Sequence, residues 1–347
     1  MRFYTGQHQY YCGIDLHART MYLCILDHNT GDVVLHRNLR SQPGAFLRAI
    51  EPYRDDLIVG VECIFCWYWL ADLCAQEAIP FVLGHALYMK AIHGGKAKND
   101  KVDAHKIAVL LKGGAFPTAY VYPRGMRATR DLLRRRLLFV RRRGELFTHI
   151  RIVFHQLNLP APAGALLEPR HRSGLLETVP EPGVRASVEA DLDLAERLDH
   201  VIHSIERTIQ RQAKVDDPET LRLLKTIPGV GRILGLTMLY EIHDIVRFPR
   251  VGDFLSYARL VKSQKASAGK VTGTSGAKIG NVHLKWAFSE AAVLFLQKNP
   301  PGQRLMSRLR SKHGKGKALS VLAARLGRAS FFMLSRSTPF DMDRFLN

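Results

Sequence analysis

Apolar and polar residues alternate from Tyr11 to Asp27 (YCGIDLHARTMYLCILD) and again from Asp32 to Leu39 (DVVLHRNL), with the turn formers Asn29, Thr30 and Gly31 between them. A period of two with tight turns predicts a meander of antiparallel strands. A helical stretch from Phe46 to Tyr53 follows, then the buried strand LIVGVE ending at Glu62, a helix from Trp67 to Glu77, and the short strand PFVLG. Strand and helix alternating after a meander imply a mixed sheet flanked by helices, an α/β domain. Residues Asp103 to Leu111 return to helical spacing, and Gly113, Gly114 and Pro117 end it.

A basic helix is predicted next, from Pro123 to Gly144, with Arg124, Arg127, Arg130, Arg134, Arg135, Arg136, Arg141, Arg142 and Arg143 around one apolar stripe of leucine and valine. Prolines and glycines between 160 and 184 mark an irregular connection. The helix predicted from Val184 to Ala213 carries Leu192, Leu194, Leu198, Val201, Ile202, Ile205 and Ile209 at spacings of about three and four, the pattern of a helical hairpin arm or short coiled coil. It suits either an intermolecular contact or packing within its own domain. From Leu221 a second, mainly helical and basic domain begins.

Length and composition add limits. With 347 residues and 46% hydrophobic content the chain can build two domains with real cores. Lys and Arg outnumber Asp and Glu by 51 to 31, a formal net charge of +20, which calls for a polyanionic partner. The basic residues do not flank a long apolar helix, and no lipidation motif accompanies them, so nucleic acid is expected rather than a membrane. Five cysteines, all in the first quarter among apolar residues, read as reduced core thiols. Cys63 and Cys66 form a lone CxxC with no second pair to complete a zinc site. With no signal sequence and no uninterrupted apolar run of about 18 residues, a cytoplasmic protein is expected, nucleoid-associated when bound to DNA.

Four acids stand out against apolar or basic surroundings: Asp15, Glu62, Asp100 and Asp103. Carboxylates at adjacent strand ends and at a nearby helix start are the donor set for Mg²⁺ or Mn²⁺ in phosphoryl transfer. Each has a plain alternative: Asp100 as an N-cap with Asp103 as a first-turn acid, Asp15 as a strand end, Glu62 as the partner of an arginine. A charge inside VGVECIFCW nevertheless demands a partner. The arginine-rich helix, through Arg127, Arg130, Arg134, Arg135 and Arg141, is expected to contact phosphates, since nine arginines without matching acids repel one another. In PGVG, Gly229 and Gly231 can bring backbone amides to a phosphate, or can simply join two helices tightly. The segment KASAGKVTGTSGAKIGNVHLKWAF, with Lys270 and Lys278, predicts a flexible basic loop that can approach a phosphate and present a nucleophile, or serve simply as a loop.

GIDLHARTMYLCILD, VGVECIFCWYWL and KAKNDKVDAHKIAVLL resemble the three acidic blocks of the DEDD-type, RuvC-like transposases of bacterial insertion sequences in the IS-one-ten group. The resemblance implies a ribonuclease H-like domain over 1–155 with Asp15, Glu62, Asp100 and Asp103 as its metal tetrad. It also implies a linker and oligomerising helical arm over 156–220, and a C-terminal transposase domain over 221–347 with a helix-hairpin-helix-like element at PGVG. Ser267 falls where the family's nucleophilic serine would stand, with Ser275 next and Ser263 third. The implied activity is cutting and rejoining of donor and target DNA by a homodimer or homotetramer, guided by a structured non-coding (bridge) RNA. Two other functions fit the residues alone: a junction-resolving endonuclease with water as nucleophile, and a nucleic-acid packaging protein without catalysis.

Overall fold

The computed structural model describes residues 2–92, 99–160, 166–172, 174–275 and 279–347. The chain divides into two compact units, the first ending at Arg124 and the second running from Gly125 to Asn347.

The first unit is built on one seven-stranded sheet. Its elements are β1 (Phe3–Tyr4), β2 (Tyr10–Leu16), β3 (Thr20–Asp27), β4 (Val33–Arg40), α1 (Pro43–Ile50), β5 (Leu57–Glu62), α2 (Tyr68–Gln76), β6 (Phe81–Gly84), α3 (Ala86–Ile92), α4 (Asp100–Lys112) and β7 (Phe116–Ala119). The strand order is β1-β7-β6-β5-β2-β3-β4. As the alternation predicts, β2, β3 and β4 form an antiparallel meander, while β5 runs parallel to β2 and β6 parallel to β5. This mixed sheet is compatible with the ribonuclease H-like domain the resemblance implies. Pro117, expected only to end a helix, lies inside β7, paired antiparallel with the short edge strand β1.

Strand alternation sorts the sheet's side chains. Ile14, Leu16, Leu23, Val59 and Val61 join Phe46, Ile50 and Leu70 in one core beneath α1 and α2. The opposite face takes α4. A Cβ on Gly13 would stand 2.3 Å from the Ala104 carbonyl oxygen and 2.4 Å from the Ala108 nitrogen, so the helix backbone lies directly on β2 where only glycine leaves room. Cys12, Cys24 and Cys74 are buried as expected, but Cys63 is exposed and Cys66 half-buried, because both follow the end of β5 in a turn rather than a strand.

The second unit comprises α5 (Arg124–Gln156), α6 (Pro182–Asp216), α7 (Pro218–Leu224), α8 (Arg232–Ile242), α9 (Val251–Tyr257), the hairpin β8 (Ser263–Ser267) and β9 (Lys270–Ser275), α10 (Val282–Leu294), α11 (Pro300–His313), α12 (Lys315–Arg336) and α13 (Met342–Leu346). The division at 124 places the arginine-rich helix in this compact unit. That helix also runs 33 residues, past Gly144, because Phe147, Ile150, Val153 and Phe154 continue its apolar stripe. Helices α5 and α6 form an antiparallel hairpin. Thr129 bonds Gln212, Arg136 bonds Glu206, Arg143 pairs with Asp199 and His149 with Asp191, so one partner climbs as the other descends. The helical arm therefore packs within its own chain along this face. Leu236, Leu284, Phe288, Leu322, Leu326 and Phe331 anchor the remaining core. Among the described residues α12 is the one helix long and apolar enough to cross a membrane, yet its Leu322, Ala323, Leu326 and Phe331 are buried in that core.

Candidate active site

The acids converge because of register. Ile14 of β2 pairs with Val61 of β5, so the next residues, Asp15 one position before the end of β2 and Glu62 at the end of β5, stand level on two neighbouring parallel strands. Ile14 and Val61 point into the core under α1 and α2, and alternation turns Asp15 and Glu62 toward the α4 face. Helix α4 starts there. Its N-cap is Asn99, whose side chain accepts from the Lys101 N–H, so Asp100 is freed from the capping role considered above and opens the first turn, with Asp103 one turn on.

Asp15, His17 and Asp100 offer ligand atoms that all lie within 4.8 Å of one another. His17 Nε2 is 3.4 Å from Asp15 Oδ2 and 3.6 Å from Asp100 Oδ1. Glu62 and Asp103 lie outside this tight trio; Asp103 is 3.3 Å from Lys106 Nζ, which shares its charge. The Asp15 carboxyl is raised above its ordinary pKa. Burial is the largest cause, His17 opposes it, and the charges of Asp100 and Asp103 add to it. A carboxylate crowded by like charges at the end of a strand binds a divalent cation favourably, since the cation relieves that repulsion. The trio fits a hard metal: two carboxylates and one imidazole, with His17 and Asp100 exposed to solvent that can supply further oxygen ligands. Cys66, whose Sγ donates to the Leu16 carbonyl at 3.4 Å, stays a thiol beside it, its pKa raised by burial first and by the Asp15 charge.

His17 is the member not expected from the sequence. The signal was in DLH: a residue two beyond a strand-end aspartate returns to the same side of the sheet.

The serine segment also differs from expectation. Instead of a loop it forms a hairpin, in which Ser267 pairs across from Lys270 and the two-residue turn between them, Ala268 and Gly269, has positive φ at both positions, 48° and 75°. Such a turn matches the twist of its strands, and S-A-G-K was its signature. Ser267 and Lys270 are exposed at the tip. Ser275 pairs with Ser263 at the other end of the hairpin, and Lys278 lies outside the described residues.

The arginine helix requires a correction. Arg127 and Arg130 are buried, and Arg134 is half-buried, so these three do not present themselves to a phosphate backbone. The carboxylate of Glu241, buried on α8, accepts from Arg130 Nε at 3.0 Å, from Arg134 Nε at 2.6 Å and Nη2 at 2.9 Å, and from the Asn281 amide at 2.7 Å. Burial alone would raise the Glu241 pKa; the Arg134 hydrogen bonds, the two guanidinium charges and the Asn281 amide outweigh it and bring it down to about 2. Spacings of three and four place 127, 130 and 134 on one side of the helix, facing the core. Arg135 and Arg141 remain exposed and, among the described residues, form no ion pair.

In the PGVG turn the two glycines separate. Gly229, at φ 83°, abuts the end of α10, where a Cβ would stand 2.5 Å from the Leu294 carbonyl carbon, so its freedom serves packing. Gly231 is the exposed N-cap of α8, where an added Cβ would meet no other atom within 4 Å.

Comparison with known proteins matches two family models in the order the chain suggests. Residues 12–158 match the DEDD-type transposase model of the IS110 group, which spans all four acids, and residues 221–307 match the transposase family IS116/IS110/IS902, which spans the PGVG turn and the serine hairpin. A transposase for the insertion sequence element IS1328 of Yersinia enterocolitica is 24% identical over 339 residues, 95% of this chain and 98% of that protein. With both models in register along one chain, and with the acidic cluster lying inside the first of them, the protein belongs to the IS110 family of transposases, enzymes that cut and join DNA.

Proposed function

We propose that the protein is a site-specific DNA recombinase in which the acids of the first unit hold a divalent cation and Ser267 of the second supplies the attacking oxygen. The observation that carries the proposal is the convergence of Asp15, His17 and Asp100 at the end of β2. Glu62, level with Asp15 on the next strand, and Asp103, one turn into α4, would complete the ligand set around Mg²⁺ or Mn²⁺. When bound, such a cation acts as a Lewis acid on phosphoryl oxygens. The carboxylates position it, and the neutral His17 imidazole would supply a nitrogen ligand between Asp15 and Asp100.

Ser267 is supported as nucleophile by its place at an exposed hairpin tip, with Lys270 opposite to meet a phosphate. Its hydroxyl gives up a proton as the Oγ–P bond forms, and the P–O bond to the departing sugar breaks, that oxygen taking a proton. One phosphoester replaces another, so the bond energy is kept for rejoining. Water as nucleophile would discard it. Donor and target DNA, and a structured guide RNA that pairs with both, are the partners this chemistry calls for, and they account for the net charge of +20. Two duplexes exchanged together call for a dimer or tetramer, with an acidic site of one subunit served by the serine of another. The deciding experiment incubates labelled DNA with the protein, its guide RNA and Mg²⁺, and looks for a covalent protein–DNA adduct. Adduct lost in Ser267→Ala supports the proposal; adduct that persists there and disappears in Ser275→Ala moves the nucleophile along the hairpin. Cleavage without any adduct would instead identify a hydrolytic endonuclease.

A further inference from the structure

The last turns of α12 and the segment through α13 enclose a groove of about 1040 Å³ that the catalytic reading leaves unused. Arg325, Arg328, Arg336 and Arg344 line it against a single acid, Asp341. That acid is already engaged, because its carboxylate caps α13 by accepting the Arg344 backbone N–H at 3.0 Å. None of the four arginines forms an ion pair with a carboxylate among the described residues. Instead they collect on aromatic rings. The guanidinium groups of Arg328 and Arg336 lie 5.3 and 4.9 Å from the centroid of the same ring, Phe332, and Arg325 lies 5.3 Å from Phe345 while donating to its carbonyl oxygen. The Arg325 pKa is lowered, by burial first and then by the charge of Arg308 on α11, a second positive charge close to this groove.

A row of arginines on a helix is usually a solvated face. This one differs in being concave, in setting four arginines against the one acidic side chain of its lining, and in being floored by half-exposed Phe332 and Phe340. A duplex would offer such a groove only its phosphates and leave the rings without partners. An acidic peptide would satisfy the charges and likewise ignore the rings. Unpaired nucleotides offer both a phosphate chain and flat faces that stack on phenylalanine and on guanidinium planes.

We propose that this groove holds an unpaired stretch of polynucleotide, with phosphates on Arg328, Arg336 and Arg344 and a base against Phe332 or Phe340. The proposal deepens the nucleic-acid reading above but does not depend on the metal site or on Ser267, because binding is measured in EDTA, where no strand is cut.

The test is fluorescence anisotropy of the full chain with a short single-stranded DNA, the same sequence as RNA, and the matching DNA duplex. Arg328→Gln with Arg336→Gln is expected to weaken single-strand binding roughly 10-fold or more and to flatten its log–log salt dependence by about 1.4, two phosphate contacts at ~0.7 each. Phe332→Leu should lose about 10-fold for single strands with the salt slope unchanged, and Phe332→Tyr, which keeps a ring, should bind as the parent does. The RNA and DNA arms identify which strand is held. Unchanged single-strand affinity in the arginine pair would overturn the proposal, as would equal losses on the duplex. Displacement of the strand by polyglutamate as readily as by unlabelled oligonucleotide would reassign the groove to an acidic peptide. Thermal unfolding of each variant verifies that the fold is kept, and Phe332→Tyr against Phe332→Leu separates ring stacking from packing.

Discussion

Two carboxylates in this chain occupy opposite electrostatic extremes. Asp15 of the first unit is held above its ordinary pKa beside two other acids and one histidine, while Glu241 of the second is buried between two arginines and brought down to about 2. Both sit in otherwise apolar segments, yet one is ringed by charge of its own sign and the other by charge of the opposite sign. A carboxylate whose partners are already present stabilises a fold. One surrounded by further acids places the fold under strain until a cation arrives.

Substitution at Asp15 breaks the comparison most sharply. Asp15→Asn is expected to lower metal-dependent strand cleavage by roughly 1,000-fold or more, since several kcal/mol of charge stabilisation depend on the cation it holds. Its thermal stability without metal should equal or exceed the parent's, because the asparagine carries no charge for Asp100 and Asp103 to repel. A clear fall in the melting temperature of the metal-free variant would mean that Asp15 is a structural acid like Glu241.

Glu241→Gln should do the reverse. It leaves Arg130 and Arg134 charged and poorly partnered in a buried place, and breaking such a cluster costs about 3–5 kcal/mol. Denaturant unfolding would register that loss, while cleavage per folded molecule should be little changed. A stable Glu241→Gln protein that had lost cleavage would move this cluster into the catalytic machinery.

Acid titration should part the two groups in sign. The folded pKa of Glu241 lies below its ordinary 4.5, so its contribution is complete above that value and is lost as the pH falls from about 4.5 toward 2. The folded pKa of Asp15 lies above 3.8, so its ionisation weakens the metal-free fold as the pH rises through that window, and protonation on the way down favours the folded state. Because a metal needs the ionised carboxylate, the gain in melting temperature from Mg²⁺ should shrink as the pH is lowered toward the Asp15 pKa. A Mg²⁺ effect that grew on acidification would contradict the assignment.

The sequence carried the first unit further than the second for a physical reason. Strand alternation in YCGIDLHARTMYLCILD and the apolar run LIVGVE determine which residues face the core, and the parallel pairing of β2 with β5 then brings Asp15 and Glu62 level, so pattern was enough to bring these acids together. His17 was hidden because a lone histidine after a strand has many ordinary uses. In the second unit the decisive contacts join residues more than a hundred positions apart, as between Arg130 and Glu241, and a local count of charges does not see them. The missed clue was the solitary Glu241 at the end of RILGLTMLYEI: an acid in an apolar helix requires a cation, the same requirement that singled out Glu62. The hairpin under Ser267 was legible in S-A-G-K but was masked by a composition that reads as loop.

The smallest effect concerns what is left of the basic helix once its paired arginines are set aside. Arg135 and Arg141 are exposed, and Arg135 lies over the Phe139 ring at 6.0 Å, so their charge is available to a phosphate chain; Arg130 and Arg134 have already given theirs to Glu241. Removing Arg135 or Arg141 should therefore weaken DNA binding across sequences and reduce the salt slope by about 1 each, leaving stability within about 0.5 kcal/mol of the parent. Arg134→Gln should instead lower stability and leave the salt slope of the folded fraction where it was. If Arg134→Gln changed the slope as Arg141→Gln does, the Glu241 cluster would have to open to DNA, and the division between structural and nucleic-acid-facing arginines would lie elsewhere on the helix.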